Sequence, residues 1–195
     1  MSETVKVKKR KIAWGITGAG DKIAEIIEVM KDFKQQSEDV AEIEVYISKN
    51  GETMLKFYGL FDVVKASFNK VFVEVNANSP FLAAWVQSSK YEFLLIAPAS
   101  SNTVAKIANS ISDTMLTNAA LMGLKAFQQI YLLPTDYKEG VVSTKLPNGK
   151  EMKLRVRKEE ADQVRKLEGM DGMQTFENPQ KMKEALLEWL KTVKH

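Results

Sequence analysis

Cysteine is absent from the 195 residues, and histidine occurs once, as the terminal His195. The first absence excludes disulfides, thiolate nucleophiles, Cys-ligated iron–sulfur clusters and Cys-rich zinc sites within this chain. Most acid–base, nucleophilic and metal chemistry near neutral pH draws on imidazole or thiolate. Hard chemistry therefore has to arrive with a bound molecule, and no metal site is expected. No apolar run approaches the roughly 20 residues that span a bilayer. The opening "MSETVKVKKRKIAWGI" carries charges where a secretory signal needs its apolar stretch. The expectation is a cytoplasmic protein without membrane association. Basic residues number 28 against 25 acidic, a net charge of +3, and the excess is concentrated in Lys6, Lys8, Lys9, Arg10 and Lys11. A solvated leader is the plain reading of that cluster, and docking of an acidic protein partner is the sharper one. Nucleic-acid binding is not expected from so short a basic run.

What is present is a regular alternation of apolar strands and helices. Ile12 to Thr17 reads as a buried strand, followed by Gly18, Ala19 and Gly20 and then a helix with Ile23, Ile26, Ile27, Met30 and Phe33 at helical spacing and Asp21 as N-cap. Ile43 to Ser48 is a second strand, with a short helix between Gly51 and Gly59. Lys70 to Asn76 is a third, with Ser79 and Pro80 as cap and first turn of the helix "FLAAWVQ". "YEFLLIAP" is the fourth strand, a long helix runs from about Asn102 to Gly123, and Gln129 to Asp136 is the fifth. Apolar strands alternating with helices indicate a parallel sheet covered on both faces, a three-layer doubly wound α/β fold. "GVVSTKLPNGKEMKLRVR" then predicts a β-hairpin turning at Asn148-Gly149. A helix near Glu159 to Glu168, a short strand "MQTF" and an amphipathic helix capped by Asn178 close the chain. One domain is expected over 1–195, with a core of about 10–137 and a hairpin and helical extension of about 138–195.

In open α/β sheets ligands sit beyond the carboxyl ends of the strands, which points to four loops: Thr17 to Asp21, Ser48 to Gly51, Ala97 to Thr103, and Pro134 to Tyr137. "GITGAGDK" suits either a tight strand-to-helix turn or an anion at a helix start. It fits neither G-x-x-x-x-G-K-[ST] nor G-x-G-x-x-G, and the second strand lacks an acidic residue for a dinucleotide ribose. Ser48 and Lys49 add a hydroxyl and a charge, which favours a monophosphate. "PASSNT" offers neutral donors and acceptors that suit a polyhydroxylated or redox-active heterocycle, although one of its residues is also expected to cap the following helix. Trp14, Phe81, Trp85 and Tyr91 are expected in the core, with Trp85 the aromatic to watch beside a bound ring.

The string "PASSNTVAKIANSISDTMLTNA", with "GITGAGDKI", "VYISKNGE" and "LLPTDYKEG", resembles the FMN-binding flavoprotein family that includes the homo-oligomeric flavin-containing cysteine decarboxylases. The whole chain looks most similar to its archaeoflavoprotein branch, which implies a Rossmann-like or flavodoxin-like fold. The resemblance implies FMN as cofactor, with Thr17, Gly18, Ala19, Gly20, Ser48 and Lys49 at the phosphate. It implies Ala99, Ser100, Ser101, Asn102 and Thr103 along the ribityl chain and ring, with Asn102 tuning the ring. Thr117, Asn118, Thr135 and Asp136 are implied at the pocket rim. It further implies electron transfer from ferredoxin or a similar acidic donor to an unidentified acceptor, and a homo-oligomer, trimer-based or dimeric. Two related activities are alternatives. Decarboxylation of a cysteinyl substrate meets the absence of an active-site histidine and of a "PxMNxxMW" motif, and reduction of a dihydromethanopterin-type pterin would have to proceed without clusters in this chain.

Overall fold

The computed structural model describes residues 9–194. Its elements run β1 (Arg10–Ile16), α1 (Ile23–Gln36), β2 (Ala41–Ile47), α2 (Lys49–Phe57), α3 (Phe61–Ser67), β3 (Lys70–Val73), α4 (Leu82–Gln87) and β4 (Phe93–Ala99) in the first half. The second half continues with α5 (Ser101–Ala108), α6 (Met115–Lys125), β5 (Gln129–Pro134), β6 (Gly140–Lys145), β7 (Glu151–Val156), α7 (Lys158–Glu168), β8 (Met173–Thr175) and α8 (Pro179–Lys194). Six strands form one sheet in the order β3-β2-β1-β4-β5-β8, every neighbouring pair parallel. The doubly wound α/β fold is as expected.

The strands are apolar on both faces because both faces are covered. Trp14 and Val45 lie in register on β1 and β2 and pack into one layer with Ile23, Ile27 and Phe33 of α1 and Leu186 of α8. Ala13, Leu94 and Leu132 face the other layer, built with Leu82, Ile107 and Leu116 of α4, α5 and α6. β1 lies between β2 and β4, so the chain reverses its direction of winding there. The loops after β1 and β4 diverge at that reversal, and the crevice they leave is where a doubly wound sheet binds ligands.

Several local expectations are corrected. Asp21 does not cap α1: the cap position is Lys22, in a left-handed conformation with no side-chain cap, and the Ile23 N–H closes the turn onto the Gly20 carbonyl at 3.3 Å. Ser79 does not cap α4, whose cap position is Phe81; the Ser79 carbonyl accepts from Val75 and Asn76 and so belongs to the turn before it. The single helix expected from Asn102 to Gly123 is two, because Ser110 adopts a left-handed φ of 59° and Thr114 restarts the chain with a capping box to Thr117. The short helix after β2 begins at Lys49 and ends before Gly59, whose φ is 68°, and α3 was not anticipated. The expected division near residue 137 is also redrawn, since β8 joins β5 in the main sheet and α8 packs on α1. Only β6 and β7 stand apart, as an antiparallel pair.

Among the described residues, β2 carries a buried ionised group. Glu44 is 1% exposed on β2 and accepts from Tyr91 Oη at 2.5 Å and from Lys11, Lys70 and Lys90 Nζ, each at 3.1 Å. Burial alone would raise its pKa, but the hydrogen bonds from Tyr91, Lys90, Lys11 and Lys70 outweigh it and hold the carboxyl down at about 2. Burial and the neighbouring carboxylate push the Tyr91 phenol far above its ordinary range.

Candidate functional site

Beyond the ends of β1 and β4, Thr17 fastens two loops together. It is 2% exposed, and its hydroxyl donates to the Pro98 carbonyl at 2.7 Å while accepting the Ser100 N–H at 2.9 Å. Ser100 caps α5 by accepting from the Thr103 N–H, and Ser48 caps α2 by accepting from the Gly51 N–H at 2.9 Å. The Ser48 cap leaves its hydroxyl proton available to another acceptor, and the Ser100 hydroxyl also shares a hydrogen bond with the Thr103 hydroxyl at 3.1 Å. Gly18 is required by a close approach: a Cβ there would sit 2.6 Å from that of Asn50.

These loops enclose a cleft of about 670 Å³, within the range of small-molecule sites. Its walls come from Gly18, Ser48, Lys49, Asn50, Ser100 and Asn102, and from the facing Glu74, Asn76 and Thr114. The amides of Gly18, Asn50 and Asn102 donate to no protein acceptor among the described residues. Asn50 and Asn102 occupy the first turns of α2 and α5, where free N–H groups and the helix dipole favour an anion. Lys49 adds a mobile cation to the same wall, and the remaining side chains are mostly neutral hydroxyls and amides. Glu74 and Asp113 are the exceptions, and both are already engaged: the two Glu74 oxygens accept the backbone N–H groups of Lys49 at 3.0 Å and Met115 at 2.7 Å, and Asp113 pairs with Lys106 at 2.9 Å.

A second cavity of about 310 Å³ adjoins the first and shares Gly18, Met54 and Ser100 with it. Its floor is the Gly18 to Asp21 loop with Ser101, Thr135 and Asp136, and Ser101 donates its hydroxyl to the Asp136 carboxylate. Its roof is Val142, Thr144, Leu146, Met152 and Leu154 from the β6–β7 hairpin. Tyr58 closes one end, its hydroxyl donating to the Lys145 carbonyl at 3.3 Å.

Of the residues singled out from the sequence, Thr17, Gly18, Ser48, Lys49, Ser100, Asn102 and Thr103 meet in the first cleft. Ala19, Gly20, Ser101, Thr135 and Asp136 stand in the second. Ala99 is fully buried in β4. Thr117 and Asn118 line neither cavity. The Thr117 hydroxyl is consumed by the capping box with Thr114, and the Asn118 amide braces the turn at Ala77 and Asn78. Trp14 and Tyr91 are core residues, whereas Phe81 is 65% exposed. Trp85 packs against Phe72 and Tyr46 and lies 3.7 Å beneath the Lys90 ammonium, away from both cavities. Glu74, Asn76 and Ala77, on the loop after β3, lie outside the four loops that the sequence points to. The rule that ligands gather at strand ends applies to that loop equally and would have found them.

A family model described as Flavoprotein matches residues 1–186. The chain belongs to the flavoprotein family. An uncharacterized protein of Methanocaldococcus jannaschii is 40% identical to this flavoprotein over 184 residues, 94% of this chain and 98% of that one. Dihydromethanopterin reductase (acceptor) of the same organism is 38% identical over 143 residues, 70% of this chain and 58% of the reductase. This flavoprotein thus spans little more than half of that relative. Among solved structures, Burkholderia xenovorans DmrB, in complex with FMN and described as a cubic protein cage for redox transfer, superposes with a TM-score of 0.80 at 29% identity, covering 96% of this chain and 98% of that one. A dodecameric FMN-dependent UbiX-like decarboxylase of Escherichia coli O157:H7 shares the fold at TM-score 0.63 and 14% identity. Among the described residues no helix is long and apolar enough to cross a membrane.

Proposed function

We propose that the protein holds FMN in the 670 Å³ cleft and acts as an FMN-dependent oxidoreductase fed by a separate electron carrier. The observation that carries this reading is the convergence of the unpartnered amides of Gly18, Asn50 and Asn102 with Lys49 and two capping hydroxyls on one wall. That donor set suits a phosphate monoester, and the neutral Asn102, Thr103, Asn76 and Thr114 further along suit a ribityl chain and a ring edge. Bound FMN supplies the one- and two-electron chemistry that this chain's own side chains lack. Gly18, Ser48 and Lys49 bind and orient the phosphate end. Thr17 fixes the spacing of the two loops, and the Asn102 side chain would hydrogen-bond FMN beyond its phosphate.

The 195 residues contain no cysteine to ligate an iron–sulfur cluster, so a cluster delivering electrons lies outside them. A ferredoxin or similarly acidic donor fits the basic segment around Lys9. Arg10 and Lys11 of that segment are ion-paired with Glu92 and with Glu42 and Glu44, and Lys6 and Lys8 lie outside the described residues. A pterin of the dihydromethanopterin class is the acceptor favoured by the 38% identity to its reductase. Decarboxylation of a cysteinyl substrate has less support, since epidermin decarboxylase matches only 37% of the chain and the sole histidine is terminal. Assembly with further copies of the chain would cover Phe81 and Phe127, which are 65% and 91% exposed.

Titration of the purified protein with FMN, followed by anaerobic addition of reduced ferredoxin, tests the reading. Stoichiometric uptake with bleaching of the flavin bands is expected, and the bleaching rate should fall as salt is added. A protein that takes up no FMN overturns the proposal. A rate that ignores salt overturns electrostatic docking of the donor alone.

A further inference from the structure

The 310 Å³ cavity has a chemistry opposite to that of the cleft it adjoins. Its floor carries two carboxylates, Asp21 and Asp136, and its lining contains no lysine, arginine or histidine. No ion pair to either aspartate is formed among the described residues. An anionic ligand, whether a phosphate ester or a carboxylic acid, would enter against uncompensated negative charge in a partly desolvated space. The roof over these carboxylates is mostly apolar: Val142, Leu146, Met152 and Leu154 join Thr144 from the hairpin, with Phe57 beside them. A largely apolar roof above a hydrogen-bonding floor suits a planar ring system, and about 310 Å³ is enough for a small one.

The Asp136 carboxylate is held in place for recognition. Ser101, in the first turn of α5, donates its hydroxyl to Asp136 Oδ2, which fixes the rotamer and uses one of about four acceptor positions on the carboxylate. The remaining positions can accept two adjacent N–H groups in parallel, the strongest geometry a carboxylate offers to a neutral heterocycle. The cavity and the cleft share Gly18, Met54 and Ser100, so occupants of the two would be neighbours.

We propose that this hairpin-roofed cavity is the acceptor site, and that Asp136 reads the 2-amino-4-oxopyrimidine edge of a pterin-type heterocycle while the hairpin covers its ring. The inference rests on the reading that FMN fills the neighbouring cleft and gives the electron acceptor a place and a chemical class. It assigns the β6–β7 hairpin a specificity role: it selects N–H-rich planar rings and turns away planar acids of the same size.

The test uses the FMN-loaded protein and equilibrium titration with 7,8-dihydrobiopterin, read by flavin absorbance and by dialysis, with cinnamate as the planar acid. Dihydrobiopterin should bind saturably and cinnamate should not. Asp136→Asn, which keeps shape but places an amide N–H where an acceptor is needed, should weaken dihydrobiopterin at least about tenfold, with FMN affinity held within about twofold. Leu154→Trp fills the roof from an exposed strand without adding charge beside Asp136 and should weaken dihydrobiopterin similarly. Cinnamate binding better than dihydrobiopterin, or dihydrobiopterin binding unchanged in both variants, overturns the inference while leaving the flavin reading intact. A wild-type protein that takes up no FMN overturns the flavin reading and this inference with it.

Discussion

The Met115 N–H donates to Glu74 at 2.7 Å, and the other oxygen of the same carboxylate accepts the Lys49 N–H at 3.0 Å. One side chain at the end of β3 therefore terminates two helices, α2 and α6, and sets the width of the cleft between them. Hydrogen bonds to a charged group contribute about 1.5–3 kcal/mol each, and a carboxylate at a helix N-terminus adds about 0.3–1 kcal/mol. Glu74→Gln keeps the shape but loses the charge and one acceptor. A loss of about 2 kcal/mol is expected, seen as a fall in Tm of roughly 4–8 °C for a chain of this size. An unchanged Tm would show that the two helix starts do not depend on the carboxylate.

Thr17 offers a sharper separation of bracing from binding. Thr17→Val is isosteric but abandons the part-buried Ser100 N–H and leaves the Pro98 carbonyl only the Thr17 backbone N–H at 3.3 Å. Leaving such groups unpaired costs about 1–3 kcal/mol, and FMN affinity should fall with it because the loops after β1 and β4 lose their common fastening. Thr17→Ser keeps the hydroxyl and should restore both properties. If Thr17→Val lowers FMN affinity while stability is untouched, the hydroxyl acts on the cofactor directly.

The sheet and most of the first cleft were legible because they rest on local chemistry. Continuous apolar strands reveal a sheet buried on both faces, and Ser48 and Ser100 carry the composition of helix caps just where strands end. What escaped depends on partners distant in sequence. Glu74 looks like any charged residue near a strand end until Met115, forty-one positions on, brings its amide to it. The break at Ser110 was hidden because "NSISDT" continues a helical apolar spacing, and only the left-handed turn and the Thr114 capping box end it. The second cavity was invisible because its roof is a hairpin that sequence reads only as alternating residues, with no sign of the floor it covers.

Lys49 is the one cation on the cleft wall opposite no fixed partner among the described residues, its pairing to an anion being the proposed use. Lys49→Ala should weaken FMN by about tenfold, the value of one partly exposed charge-assisted contact, and should flatten the dependence of FMN affinity on salt. Lys49→Arg should retain most of both. Equal affinities for riboflavin and FMN in the wild type would remove the phosphate contact from the account altogether.

Glu44 makes acid stability a readout of the sheet itself. Its folded pKa of about 2 lies below the ordinary carboxylate value of 4.5, so between these values the unfolded chain binds more protons than the folded one and stability rises with pH. The contribution is fully present above about pH 4.5 and is lost as pH falls toward 2. Glu44→Gln removes the carboxylate from Tyr91 and three lysines, leaving cations that are only 27–41% exposed at their side chains. Breaking a buried pair on one side costs about 3 kcal/mol or more, so the variant should be destabilised at pH 7 by about that amount. Its stability should also change less steeply with pH between 4.5 and 2 than that of the wild type. Urea titrations of both proteins at pH 7, 4 and 3 measure the difference, and parallel pH profiles would assign the acid sensitivity to other carboxylates.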